Sequence, residues 1–183
     1  MIEEYLIRHC SPTLAGLKSG SLFAYAFQNE EEFYNEIGRI ERLLLSKGLC
    51  MMIAKRQNQR ALIYVYREAR LNEDLNKSGV RWFLSAYGYD AQDTELLLER
   101  LCERIRESEE FPHEIGIFLG YPLGDVIGFI QNQGKRCKCV GCWKVYCDEA
   151  DAQRTFNKFR KCRDVYGRLW ENGKSLTQLI VAA

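Results

Sequence analysis

A chain of 183 residues with 46 % hydrophobic, 12 % aromatic and 28 % charged residues can bury a substantial core, which excludes a disordered or fibrous polymer. A net charge of +1 and a pI of about 7.5 argue against a general nucleic-acid binder. The charge is uneven: Gly134 to Ala183 carries eleven Lys/Arg against five Asp/Glu, or +6, leaving −5 for the preceding residues, a gradient that can steer an anionic partner.

No apolar run approaches the roughly 18 residues of a membrane span. The amino terminus, MIEEYLIRHC, has acids where a secretory leader has bases. A cytoplasmic location without membrane insertion is expected, and a single α/β domain over residues 1–183.

Residues 1–20 predict a short helix or extended segment followed by a turn-rich loop, because Pro12 biases Ser11 away from helical dihedrals. Leu22 to Phe27 reads as a strand. Asn29 caps a helix over Glu30–Ser46, with Phe33, Ile37, Ile40 and Leu44 on one apolar stripe and Gly48 as the stop. Leu49–Lys55 and Ala61–Arg67 form a hairpin around RQNQ. Both runs are largely apolar, which predicts a sheet covered on both faces.

Asn72 is a candidate cap for a helix ending near Gly79, and a second helix covers Val80–Tyr87. Asp93 caps a longer helix through Arg106 with Leu97, Leu101 and Ile105 aligned, beside which Cys102 reads as a buried small hydrophobe. Ile115–Leu119 reads as a strand, Leu123–Gln131 as a short helix with Asp125 in its first turn, and Trp143–Cys147 as a final strand. Asp148 caps a helix through about Gly167, lined by Phe156, Phe159, Cys162 and Tyr166, before a last short helix near Leu176. The architecture expected is a single mixed β-sheet of about five strands covered by helices.

The chemistry-bearing groups concentrate in Phe111–Cys147. Eight cysteines are many for a reducing compartment, where disulfides are disfavoured, and Cys137, Cys139, Cys142 and Cys147 fall within eleven residues. Short spacings can gather thiolates around zinc or an iron–sulfur cluster. The spacing is not the paired C-x2-C of a zinc knuckle, and Cys147 would lie about 13 Å along an extended strand from Trp143. Cys137, Cys139 and Cys142, completed by Cys10 or Cys162, are therefore the metal-ligand candidates. Lys135, Arg136 and Lys138 favour thiolates, so thiol redox chemistry is a second reading and a set of structural thiols the third.

His9-Cys10 could pair a base with a nucleophile only if a turn made the side chains converge, and Lys18 could add an anion contact. Gly120-Tyr121-Pro122 places a turn before a helix whose free N–H groups can receive an anion. Neither GxGxxG nor GxxxxGK[ST] is present. Cys10, Lys18, Gly120, Tyr121 and Lys138 are the cofactor-contact candidates. His113-Glu114 reads as a surface start.

Three stretches carry a resemblance: HCSPTLAGLKSGSLF at 9–23, HEIGIFLGYPLGDVIGFIQNQG at 113–134 and CKCVGCWKVYCDEADAQRTFNKFRKC at 137–162. Together they resemble the bacterial family called domain of unknown function 3793. Its recognisable residues here are His9, Cys10, Pro12, Lys18, Gly120, Pro122, Gly128, Gly134, Trp143, Lys144 and Tyr146. The resemblance implies a cytoplasmic protein of anaerobic Firmicutes and carries over no catalytic residue.

Three function classes follow. The first is a protein binding a metal or redox cofactor through its cysteines, with a redox protein as partner. The second is an enzyme acting on a small anionic substrate through the His9-Cys10 and Gly120-Tyr121-Pro122 loops. The third is a non-catalytic interaction module. The RHCSPTLAGLK segment is expected near the GYPLG turn or the cysteine loop.

Overall fold

A computed structural model describes residues 1–107 and 111–182. Its elements are α1 (Ile2–Leu14), β1 (Gly20–Ala26), α2 (Glu30–Leu45), β2 (Cys50–Gln57), β3 (Arg60–Tyr66), α3 (Glu68–Leu75), α4 (Val80–Ser85), α5 (Thr94–Glu107), α6 (Ile115–Phe118), α7 (Leu123–Gln131), β4 (Cys139–Val140), β5 (Lys144–Val145), α8 (Glu149–Glu171) and α9 (Leu176–Leu179). The fold is mixed α/β. The expected five-strand sheet is corrected: the described residues form a three-stranded antiparallel sheet, β1-β3-β2, and a separate two-stranded hairpin, β4-β5. The chain packs as two compact units, Met1–Leu71 with Lys161–Ala183, and Asn72–Arg160.

In the first unit β3 is the central strand. It pairs with β1 from Gly20↔Tyr66 to Ala26↔Arg60, and with β2 from Cys50↔Tyr66 to Gln57↔Arg60. The pleat sends Ala61, Ile63 and Val65 to one face, where Phe23 and Met51 join them. That face buries the apolar side of α1 (Ile2, Leu6, Leu14) and the stripe Phe33, Ile37, Ile40 and Leu44 of α2. On the opposite face Tyr64 is 1 % exposed, while its neighbours Leu22, Leu62, Tyr66 and Met52 are half-buried and Ala24 is exposed, so the covering expected on both faces is complete on only one. The β2–β3 connection is tighter than expected, two residues with Asn58 at φ 53°.

Local signals set the ends of α2. Asn29 Oδ1 accepts from the Glu32 N–H at 3.1 Å. At the other end Gly48 adopts φ +74°, and the Leu49 N–H reaches back to the Leu44 carbonyl at 3.0 Å, closing the helix in a Schellman turn.

The expected turn-rich loop from Ser11 is corrected: α1 continues through Pro12 to Leu14. Proline removes the bond to the carbonyl four residues back, but it sits in the last turn, where that carbonyl belongs to exposed Arg8. Ser11 Oγ donates to the Ile7 carbonyl, and the Thr13 and Ser21 hydroxyls bond at 2.8 Å, so the buried polar groups of this end are paired.

The second unit is largely helical. Leu97, Leu101, Cys102 and Ile105 of α5 are buried, with Asp93 Oδ1 accepting from the Glu95 N–H at 2.7 Å as the cap. Asn72 is not a cap: it lies within α3, and its carbonyl oxygen accepts the Thr94 hydroxyl. The expected strand at 115–119 is corrected to the short helix α6, whose Leu119 N–H bonds the Ile115 carbonyl at 3.0 Å. All four α6 residues are buried, so the run has no polar face from which a helical period could be read. Glu114 is corrected too: it is 2 % exposed, and its carboxylate accepts from Arg104 Nε and from Tyr89 OH at 3.2 Å. Burial, then that carboxylate, raises the Tyr89 phenol.

Candidate functional site

Between α6 and α7 the chain turns on Gly120, which adopts φ +74°. The Tyr121 N–H bonds the Gly116 carbonyl at 2.9 Å and the Gly120 N–H bonds that of Ile117 at 2.9 Å, a Schellman turn after which Pro122 starts α7. The GYPLG motif is thus a helix-to-helix corner rather than a strand-to-helix phosphate turn.

One face of α7 is notched by Gly124 and Gly128. A Cβ at Gly124 would lie 2.4 Å from Cys147 Sγ, and one at Gly128 2.5 Å from Tyr146 Cβ. The hairpin strand therefore seats directly on the helix backbone. Asp125 clamps it: Oδ1 accepts the Tyr146 and Cys147 N–H groups, each at 2.8 Å, and Oδ2 accepts Trp143 Nε1 at 2.7 Å. This carboxylate is 3 % exposed with both oxygens engaged, so burial costs it little. The charge first read as a helix-dipole complement is the central tie of the unit.

With its indole edge fixed, Trp143 stacks on Tyr121 at 5.0 Å between centroids and meets Phe156 edge-on at 4.6 Å. Tyr121 OH donates to the Cys142 carbonyl at 3.3 Å, and burial pushes its phenol up to about 12. Beside this ladder lies a cleft of about 380 Å³, lined from one side by Phe111, His113, Ile115, Gly116, Leu119, Tyr121, Val126 and Phe129, and from the other by Val140, Gly141, Trp143 and Lys144. Asp125, which also lines it, is the one carboxylate among these residues. The His113 ring meets Phe129 edge-on at 4.9 Å, and Lys144 Nζ lies 5.8 Å from the same ring while donating to the Gly134 carbonyl at 2.7 Å. An imidazole and an ammonium thus approach the same aromatic ring.

The cysteines disperse. Among the described residues no three His, Cys, Asp or Glu side chains are grouped to hold a metal ion. Cys137, Cys139 and Cys142 are half-buried on the hairpin segment, with Cys139 and Cys142 packed toward Val145 and Phe156. Cys162 is in the core of the first unit, its thiol pushed up to about 11 by burial. A zinc or iron–sulfur centre built from Cys137, Cys139, Cys142 and Cys162 therefore gains no support from the described residues. Burial also raises the thiols of Cys50, Cys102, Cys139 and Cys147. For Cys147 burial and Asp125 outweigh Lys138, whose ammonium bonds the Cys147 carbonyl, so the basic loop does not activate that thiol.

Cys10 lies inside α1, fully buried, and desolvation pushes its thiol up to about 12 despite Lys18, which occupies the half-buried turn before β1. His9 faces out of the same helix and stacks on Phe23 at 5.9 Å. Successive helical residues point about 100° apart, so the two are not aligned as a base and nucleophile. Burial, then Arg8, lowers the His9 pKa. Cys10 and Lys18 belong to the first unit; Gly120, Tyr121, Lys138 and the Cys137–Cys142 stretch belong to the second.

These placements predict an order of thiol reactivity. With a disulfide reagent at pH 8, exposed Cys147 is expected to react first, and buried Cys10, Cys102 and Cys162 only after denaturant is added. Peptide mapping by mass spectrometry reads the order, and modification of Cys10 ahead of Cys147 in folded protein would contradict it.

Sequence reading missed Asp125, Phe129 and His113 as parts of one site. One signal was available: GDVIGF puts a single carboxylate into an apolar helix beside one notch glycine, Gly124, and three residues before the other, Gly128.

A small, helix-rich unit with a hairpin clamped against a notched helix and an apolar cleft beside it is the class of structure that results. The chain belongs to the family of proteins of unknown function DUF3793, whose profile matches residues 6–180. No curated protein and no solved structure matches it. No described helix is long and apolar enough to cross a membrane.

Proposed function

We propose that the second unit binds a small molecule in the cleft between α6–α7 and the β4–β5 hairpin. The observation that carries this reading is the cleft's construction: residues 111–129 and 140–144 converge on one concave surface. Its volume, about 380 Å³, suits a compact ligand, and its lining of apolar and aromatic side chains with a few polar groups is typical of ligand sites. The anionic-ligand reading of the GYP loop moves accordingly, away from helix N–H groups and Lys138 and toward Tyr121, Trp143 and Lys144. The metal and thiol-redox readings draw no support from the placement of the cysteines.

Isotope-labelled protein titrated with indole and 3-phenylpropanamide tests the reading. Saturable amide shifts are expected at Gly116, Leu119, Gly141 and Lys144. Titrations in which neither probe gives saturable shifts at these residues would overturn it.

A further inference from the structure

Resting on that reading, we infer that the cleft selects a small monocarboxylic acid with an aryl or branched apolar body, its carboxylate met by Lys144 beside Phe129.

The hydrogen-bond inventory of the cleft, rather than its net charge, points to an anion, since Lys144 and Asp125 cancel formally but differ in the bonding each has left to offer. Asp125, its one carboxylate among the described lining residues, has both oxygens occupied by three N–H donors, so it has little capacity left to recruit a cation. The indole N–H of Trp143 is spent on the same group. Lys144 is different: an ammonium has three donors, and the Gly134 carbonyl takes one at 2.7 Å. His113 is exposed at the rim, and its ring and the ammonium approach Phe129 at 4.9 and 5.8 Å. An anionic head placed beside the ammonium would leave its apolar body against Ile115, Leu119 and Val126.

The same inventory favours carboxylate over phosphate. No arginine lines the cleft among the described residues, and Leu123 and Gly124, whose N–H groups open α7, are not among its lining residues. A phosphate site ordinarily draws on arginine forks or free helix N–H groups. One ammonium beside an apolar lining suits a single negative charge.

Calorimetric titration of the full chain with 3-phenylpropionate, 3-phenylpropanamide and 3-phenylpropylamine is the test, because the probes share a body and differ in charge. The acid is expected to bind at least tenfold more tightly than the amide, and the amine more weakly than both. Lys144→Met should bring the acid down to about the amide's affinity, with a much smaller loss for the amide. Val140→Glu, at a rim position 67 % exposed and so tolerant of change, should weaken the acid alone and covers the case in which Lys144→Met fails to fold. Equal affinities for acid and amide, or tightest binding of the amine, would overturn the carboxylate assignment while the small-molecule reading stood. Absence of binding by all three would sink both.

Discussion

Replacing Arg67 by Met is expected to destabilise the first unit by about 3 kcal/mol, a large share of a domain's net stability. Arg67 is 4 % exposed, and its guanidinium donates from Nε to the Thr13 carbonyl at 2.7 Å and from Nη2 to the Leu14 and Val181 carbonyls at 2.7 and 2.6 Å. None of these partners is a carboxylate. The charge is met by the negative end of α1, where the Thr13 and Leu14 carbonyls also accept the Gly16 and Val181 N–H groups at 3.1 Å each, and burial lowers the Arg67 pKa. One side chain thus ends a helix and fastens the carboxyl-terminal segment to it. Methionine would fill the space but leave buried carbonyls short of donors. Arg67→Lys should recover less than half, because one ammonium cannot reproduce a planar fork spanning three carbonyls. Urea unfolding followed by circular dichroism measures both effects. A Met variant within about 0.5 kcal/mol of the parent, the range of an ordinary surface change, would show that this bonding is not what holds the unit.

Asp125→Ala is expected to release the β4–β5 hairpin from α7 at a comparable cost, about 3 kcal/mol, since two backbone N–H groups and an indole N–H lose a charged acceptor together. Asp125→Asn keeps the shape but presents an NH2 group to one of those donors, so an intermediate loss is expected. Amide exchange at Tyr146 and Cys147 should accelerate in both variants, and the near-ultraviolet signal of Trp143 should change as its stack on Tyr121 loosens. Unchanged exchange at those two amides in the Ala variant would mean that the glycine-notch packing alone seats the strand.

The sequence by itself determined the elements whose information is local. The α2 stripe and Asn29 cap, the α5 stripe and Asp93 cap, the Asp148 cap of α8, whose carboxylate accepts the Asp151 N–H at 2.9 Å, and the β2–β3 hairpin all stand where periodicity and capping chemistry put them. Each depends on contacts within a few residues. The motif residues of 113–134 and 137–147 were legible as special for the same reason, because glycines and a lone acid in apolar runs break the pattern around them.

Where those residues come to lie depends on packing between distant segments. Ile115–Phe118 is a four-residue run buried on all sides, and such a run reads equally as strand or helix until its neighbours are known. The short hairpin did not join β1-β3-β2, so the single sheet divided into two. Cys10 went inside a helix because Pro12 fell late enough in α1 to be tolerated, which turned the His9 and Cys10 side chains about 100° apart instead of converging them in a turn. Asp125 became a clamp and Phe129 a platform for His113 and Lys144 because residues 15 to 22 positions apart were brought together. Spacing along the chain reports which side chains are neighbours in sequence, whereas a site is built from groups whose proximity is set by long-range packing.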